Sequence, residues 1–297
     1  MLSRRTDLAL EARKIWSEDN SRELPGVTEE RRLVKGFPVT AVKIDSQLAA
    51  EELCKPIGTY LTVELGRFVR REDDAFADGA EAIANALNEV ISDLHGTALI
   101  VGLGNPAITP DAVGHIVIKN TLITRHLHRE LPEQFTGFGD VCALEPGVLG
   151  TTGIESVDTV GAVVRELSPS YVIAVDALAS RSMDRVCRTV QVCDTGIIPG
   201  SGVGSARKAL SQETLGVPVI AIGVPTVVDA ATLALDMAHD AGVELDPDSL
   251  RRHQGAMIVT PKEIDSNVND ISRLIAYGLN LALHKGLTVQ DVDMMLG

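Results

Sequence analysis

The sequence predicts an α/β protein with a largely parallel central sheet and helices on both faces. Apolar, β-rich stretches alternate along the chain with segments of helical periodicity. Aromatic residues make up only 3% of the chain, fewer than an all-β sandwich or barrel usually carries. The 297 residues suffice for one large hydrophobic core, so we expect a single domain over residues 1–297.

Five stretches have the composition of strands and lead into helical patterns. They are residues 39–44, 59–65, 97–104, 171–178 and 217–224. The last three are nearly all apolar, as is typical of strands covered on both faces. We therefore expect them to form the middle of the sheet.

Five segments have apolar residues at helical spacing together with capping residues. They are residues 73–94, 110–127, 154–167, 227–241 and 263–284. Residues 129–153 are rich in Gly and Pro and show no clear period. This segment predicts a loop-rich insertion near the catalytic edge of the sheet.

Charge and composition exclude several classes of protein. The chain has 41 acidic and 27 basic side chains, a net charge of −14, which argues against direct binding of nucleic acid. It contains neither a signal-peptide-like apolar run in its first 20 residues nor an apolar run long enough to span a membrane. Four cysteines without a C-x-x-C pair fit a reducing cytoplasm.

Two aspartates follow predicted central strands, where functional groups gather in open α/β sheets. Asp111 follows the strand 97–104 after a short loop, and Asp176 ends the apolar string VIAVD. A structural role suits Asp111, because Pro110 and a carboxylate are both favoured in the first turn of a helix. Asp176 is costly to ionise unless it is paired or solvated, although it could cap a turn at 177–180.

The two carboxylates could converge on one water molecule. Asp111, stabilised by a helix dipole, would then remain ionised and act as the base. Asp176, removed from solvent, would keep its proton and act as the acid. The reverse assignment stays open because interacting carboxylates titrate as a pair.

A DTG string begins at Asp194 and invites comparison with pepsin-like peptidases. That architecture needs two such loops on a β-rich fold, and this chain has one, so we expect Asp194 to be a structural or substrate-loop residue. The loop that follows contains Gly200, Ser201 and Gly202, whose backbone N–H groups could bind a carbonyl, a carboxylate or an oxyanion. A tight turn before a helix is the alternative, and the motif of a nucleotide-binding P-loop is absent.

His115 lies four residues after Asp111 and would share its helix face. One His beside one Asp is too little to predict a metal site, so we expect a packing or substrate-contacting role. The sequence has no G-x-S-x-G or H-E-x-x-H motif. We expect neither a metal nor a cofactor.

Seven ordered blocks resemble the germination protease family of spore-forming bacteria, and the match runs over almost the whole chain. The blocks are RTDLALEA (5–12), VGLGNPAITPDAVG (101–114), EPGVLGTTGIES (145–156), VIAVDALASRS (172–182), QVCDTGIIPGSGVGSARK (191–208), ETLGVPVIAIGVPTVVDA (213–230) and VTPKEID (259–265). A series of this length is far more specific than any single motif.

The resemblance implies an aspartic-type endopeptidase that initiates the degradation of small acid-soluble spore proteins during germination. The family's two catalytic aspartates fall on Asp111 and Asp176. The resemblance also implies a homotetramer in the cytoplasm of the spore core, with an α/β fold shared with hydrogenase-maturation endopeptidases and some phosphorylases. Family members are often zymogens, but only Met1 to Arg4 precede the first matched block, which leaves propeptide removal open.

Two other interpretations remain. The string VGLGNP at 101–106, with His115 beyond it, looks like the opening of peptidyl-tRNA hydrolase, although its position, the chain length and the negative charge disfavour that activity. A binding or assembly protein on the same fold would make both aspartates structural. Within the peptidase interpretation, the scissile-bond preference and the participation of a metal-bound water stay open.

Overall fold

The computed structural model describes residues 6–20, 23–201, 207–243, 245–246 and 257–297. Within these residues, nine strands form one sheet. The strands are β1 (Val27–Val34), β2 (Phe37–Ile44), β3 (Gly58–Glu64), β4 (Ala98–Gly102), β5 (Val141–Leu144), β6 (Tyr171–Ser180), β7 (Thr189–Cys193), β8 (Val219–Asp229) and β9 (Ile258–Val259). Their spatial order is β1-β2-β3-β7-β8-β6-β4-β5, and β9 pairs with β8.

Helices cover both faces of this sheet, as the sequence predicts. The helices are α1 (Ala9–Asp19), α2 (Gln47–Leu53), α3 (Gly66–Val69), α4 (Ala75–Ile91), α5 (Val113–Lys119), α6 (Arg125–Glu130), α7 (Leu149–Thr152), α8 (Ser156–Leu167), α9 (Gln212–Leu215), α10 (Ala230–Asp240), α11 (Ile264–Leu283) and α12 (Val289–Leu296), with 3-10 turns at Thr109–Asp111 and Met183–Arg185. Among the described helices, none combines the length and apolar character needed to cross a bilayer.

The two faces of the sheet have separate hydrophobic cores. On one face, α4 and α11 bury side chains such as Ile83 and Leu274 against Ile173 and Ile222 of the sheet. On the other face, α8 packs over β4 and β6, while α1 and α2 pack over β2 and β3. Alternating residues of one strand therefore enter different cores, which explains why the interior strands are apolar throughout.

The prediction of a largely parallel sheet is wrong, because the sheet is mixed. β4 pairs in parallel with β5 and β6, and β6 pairs in parallel with β8. The other pairings are antiparallel: β1 with β2, β2 with β3, β3 with β7, β7 with β8, and β8 with β9. The sequence analysis missed β1, whose charged residues are mostly exposed. Lys35 and Gly36, both at positive φ, turn β1 directly into β2, and such a two-residue turn imposes antiparallel pairing.

The three predicted central strands are β4, β6 and β8, which are adjacent and interior, although β4 lies next to the edge strand β5. Two predicted helices have wrong bounds, and one predicted loop contains a strand. The predicted helix 110–127 is divided into the first 3-10 turn, α5 and α6. The predicted helix at 227–241 begins only at α10, since β8 continues to Asp229, whose carboxylate accepts from Thr232 N. Residues 129–153 contain the short strand β5, which the sequence analysis missed.

A close backbone approach fixes the position of α5 on β4. A Cβ atom on Gly114 would lie 2.5 Å from the backbone N and O of Leu103, and one on Gly102 would lie 2.6 Å from Gly114 O. Only glycine, which has no Cβ atom, allows backbones to approach this closely. Gly102 in VGLG and Gly114 in AVG therefore allow α5 to pack directly against β4. The 3-10 turn that precedes α5 is thereby placed at the carboxyl end of β4, which lies opposite Val175 in the middle of β6.

Replacement of Gly114 by Ala should lower the free energy of unfolding by about 2–3 kcal/mol, because the added methyl group overlaps backbone atoms that have no rotamer to change. Gly137→Ala is the control, since a Cβ there meets no atom within 4 Å. Urea unfolding followed by circular dichroism measures both. Equal midpoints for Gly114→Ala and the wild type would contradict the close approach.

Candidate active site

Asp111 ends the 3-10 turn that leads from β4 to α5. Its Oδ2 atom accepts a hydrogen bond of 2.8 Å from Asn105 N, and its own N–H donates to Ile108 O at 2.8 Å. Gly104 has φ +97°, and a Cβ there would overlap Asp111 O and lie 3.0 Å from Oδ1. The loop therefore folds tightly around this carboxylate and leaves it half-buried.

Asp176 lies within β6 and is 5% exposed. Its Oδ1 atom accepts a 2.9 Å hydrogen bond from Ala177 N. The alternative in which Asp176 caps a turn at 177–180 is wrong, because β6 continues to Ser180. A buried carboxyl in the interior of a strand is costly, which makes a purely structural role a poor explanation for it.

Both aspartates have a raised pKa. Burial is the main cause for Asp176, whose pKa lies well above the usual range, and the charges of Asp111 and Asp7 add to the increase while the Ala177 N–H opposes it. Burial also raises the pKa of Asp111, against the hydrogen bond from Asn105. The charge of Asp111 therefore acts on Asp176, and two such carboxyls favour sharing one proton.

Asp7, which lies in the block RTDLALEA, is a third acidic residue near the pair and was not predicted from the sequence. Its Oδ2 atom accepts a hydrogen bond of 2.9 Å from Ala179 N, and its Oδ1 accepts one of 2.6 Å from Ser201 Oγ. The block could have identified Asp7 as a candidate site residue, because Asp7 is an acidic residue in a segment that resembles a protease family. Asp7 and Asp176 are more than 160 positions apart in sequence, so their proximity in the fold could not be predicted from local patterns.

A cavity of about 960 Å³ lies beside β6, β7 and β8. Its lining combines polar groups with apolar ones: Asp7, Gln191, Asp194, Ser201, Ile57 and Tyr60 are among them. Gly223, which pairs with Asp176 across β6 and β8, also lines it. This size and this mixture of apolar walls and few polar groups suit a binding site for part of a peptide.

The structure separates the five residues predicted to bind substrate. Asp194 and Ser201 line the cavity, and Asp194 Oδ1 also accepts from Thr59 N at 2.8 Å, which ties β3 to the end of β7. Gly200 adjoins Ser201 in a turn, with φ +73°. Gly202 lies outside the described residues.

His115 does not belong to the described lining of this cavity. Its Nδ1 atom lies 2.8 Å from Oε2 of Glu145, and both side chains are about 40% exposed. The prediction that His115 shares a helix face with Asp111 is wrong, because Asp111 precedes α5 in its own 3-10 turn. His115 instead links α5 to the residue that follows β5.

Among the described residues, no group of three or more His, Cys, Asp or Glu side chains could hold a metal ion. What the structure does bring together is the half-buried carboxyl of Asp111, in the turn after β4, and the buried carboxyl of Asp176, within β6, with a third carboxylate, Asp7, nearby. Such a set can accept a proton from water and donate one to a leaving group.

Replacement of Asp176 by Asn should stabilise the protein at neutral pH but not at acid pH. Between the ordinary aspartate pKa and the raised pKa of native Asp176, the folded state binds a proton that the unfolded state has lost. The free energy of unfolding therefore falls as pH rises through this window. Asn carries no such dependence and retains an acceptor for Ala177 N.

Urea unfolding of both proteins at about pH 4 and about pH 7.5 measures this difference, because these values bracket the lower end of the window. An equal difference at the two pH values would contradict a raised pKa of Asp176.

Comparison with known proteins places the chain in a family. A family model described as germination protease matches residues 4–240. Proteins named germination protease are 39% identical in Clostridium perfringens, 40% in Clostridium tetani and 39% in Bacillus mycoides. The alignments cover 100%, 99% and 94% of this chain and 100%, 100% and 93% of those proteins. With a matching model over most of its length and relatives that align from end to end, the chain belongs to the germination protease family.

Proposed function

We propose that the protein is an aspartic-type endopeptidase that uses Asp111 and Asp176 to activate a water molecule. Family membership supports a protease of germination. The observation that carries the finer proposal is the pair itself: one carboxyl in the turn after β4 and one within the neighbouring strand β6, the first of which raises the pKa of the second. Burial of two acids at one place has no stabilising benefit, so a chemical role explains it best.

In the proposed reaction, the pair begins with one proton. Ionised Asp111 accepts a proton from water as the water oxygen attacks the carbonyl carbon of the peptide bond. Protonated Asp176 donates its proton to the carbonyl oxygen, which gives a tetrahedral intermediate. Collapse of this intermediate returns the proton of the hydroxyl group to Asp176, transfers the proton on Asp111 to the amide nitrogen and breaks the C–N bond. Because one proton is shared, the two residues could exchange roles.

The substrate in this proposal is a small acid-soluble spore protein, whose degradation begins during germination. The cavity beside β6 would receive residues next to the scissile bond, with Ser201 and the adjoining Gly200 binding the peptide backbone and Asp194 forming part of the wall. His115, in its pair with Glu145, would contact substrate outside the cavity. Gly202 remains a proposed contact in the same loop.

Several further properties rest on the family resemblance alone. They are a homotetrameric assembly, action in the cytoplasm of the spore core, production as a zymogen, and the likeness of the fold to hydrogenase-maturation endopeptidases. A single domain over 1–297 and the absence of a required metal or cofactor likewise remain predictions. Chelator treatment tests the last of these, since a metal-bound water would be lost on chelation.

Replacement of Asp111 or Asp176 by Asn should lower kcat for cleavage of a purified small acid-soluble spore protein by about 10²- to 10⁴-fold, the range that positioned acids and bases contribute. Product masses followed over time measure cleavage and locate the scissile bond. Asp93→Asn is the control, because Asp93 is an exposed aspartate beyond α4. Unchanged turnover in either active-site variant would remove that residue from the mechanism.

A wild-type protein that binds the substrate but does not cleave it would instead favour the non-catalytic alternative. In that case the two Asn variants should bind as well as the wild type, because a scaffold does not depend on proton transfer. A pull-down with immobilised substrate separates this outcome from simple loss of binding.

A further inference from the structure

The N-terminal segment, residues 6–12, is part of a matched sequence block that the proposed mechanism does not use. It packs at the end of β6, directly beyond Asp176. Asp7 N donates to Ala179 O at 2.9 Å, and Ala179 N donates to Asp7 Oδ2 at 2.9 Å. One residue therefore pairs with a strand through both its backbone and its side chain.

The remaining polar atoms of Asp7 face the cavity. Ser201 Oγ donates to Oδ1 at 2.6 Å, and Gln191 Nε2 donates to the backbone oxygen at 3.4 Å. Gln191 Oε1 in turn accepts from Ala9 N at 2.8 Å. The carboxylate of Asp7 is thus oriented by β6 and the glycine-rich loop, while β7 holds its backbone, and Asp7 forms part of the cavity wall.

Glu11 shows that the segment has a separate structural anchor. It is 4% exposed, and its carboxylate accepts from Arg181 N at 2.6 Å and from Ser182 N at 3.2 Å. Thr6 Oγ1 donates to the same carboxylate at 2.5 Å. Attachment of the segment to β6 therefore does not require a charge at position 7.

A neutral side chain with an acceptor, such as Asn, could accept the Ala179 N–H as Asp7 does. What a neutral residue cannot supply is the negative charge. Asp7 and Asp111 are the two groups whose charges raise the pKa of Asp176, whereas Glu11 has no such effect. Gly223 and Gln191, which line the same cavity, carry no charge. Charged residues also line it: Asp194, Glu213, and Lys55, whose Nζ donates to Thr6 O at 3.2 Å.

We propose that Asp7 is a positioning residue of the catalytic centre, which fixes the end of β6 beside Asp176 and sets a third negative charge against the Asp111–Asp176 pair. This inference rests on the proposed function. Its consequence is that the pair keeps its shared proton to a higher pH than two carboxyls alone would, because a nearby like charge opposes ionisation. The same contact prevents movement of β6, on which the alignment of Asp176 depends.

The test compares kcat/KM as a function of pH for the wild type, Asp7→Asn and Asp7→Ser, with a small acid-soluble spore protein as substrate. Both variants are neutral, and Asn keeps an acceptor at the position of Asp7 Oδ2, whereas the Ser hydroxyl lies one bond closer to the backbone. Either one, if folded, gives the comparison. We expect kcat/KM to fall at a lower pH in these variants than in the wild type on the alkaline side of the profile. The reason is that the Asp111–Asp176 pair then loses its shared proton at a lower pH. Asp7→Ala, which also removes the acceptor, should lower kcat by about 10- to 100-fold.

Glu11→Gln is the matched control from the same segment. It removes a charge that is not among those raising the pKa of Asp176. It should therefore lower the urea midpoint of unfolding and leave the alkaline side of the kcat/KM profile at the same pH. The inference would be overturned if a folded neutral variant at position 7 had the same pH profile as the wild type and differed only in a lower urea midpoint of unfolding. Asp7 would then have a purely structural role.

A titration that does not depend on turnover separates this inference from the proposed function. The ¹³C carboxyl resonance of Asp176, assigned by its absence in Asp176→Asn, should titrate at lower pH in Asp7→Asn than in the wild type. An unchanged midpoint would overturn the role of Asp7 even if the protein cleaves its substrate. A shifted midpoint in a protein that cleaves nothing would support Asp7 and reject the peptidase.

Discussion

The site depends on the burial of the Asp176 carboxyl inside an interior strand. A carboxylate removed from water loses hydration that one backbone N–H cannot replace, so the proton remains on the group. Asp176 pairs with Gly223 of β8, and β4 ends at Gly102, which pairs with Val175. A more open sheet edge would admit water and lower the pKa of Asp176.

The mixed sheet explains where this burial is possible. The parallel strands β4, β6 and β8 end at the same side, which brings the turn with Asp111 next to Asp176. The antiparallel strand β7 runs back beside β8 and delivers Gln191 and the loop after Cys193 to the wall of the cavity. A sheet of parallel strands alone would place a helix connection there instead of a loop.

The sequence was sufficient for the apolar interior strands and for two aspartates, one after β4 and one within β6. The interior strands were recognised because burial on both faces leaves few polar residues. β1 and β5 were not, since one consists mainly of exposed charged residues and the other has four residues. The helix predicted over 110–127 was wrong because apolar spacing continues across two breaks, near Ala112 and Asn120, that periodicity does not show.

The third carboxylate could not be found from local patterns. Asp7 lies before α1 with no strand or glycine-rich loop beside it in sequence, and its role depends on a backbone group far along the chain. Composition and periodicity describe neighbours in sequence, whereas the electrostatics of a site depend on neighbours in space. Asp194 shows the converse case, since a suggestive DTG string proved to hold a backbone N–H of β3.

The packing of the N-terminal segment also bears on synthesis of the chain by the ribosome. Asp7 contacts Ala179 and Ser201, which are 172 and 194 positions later in the chain. At about 5 to 20 residues per second, translation takes roughly 10 to 40 s to cover this interval. Contacts of such high sequence separation form late in folding, because the intervening chain must first be ordered. The nascent polypeptide therefore completes this end of its sheet only after Ser201 has been translated.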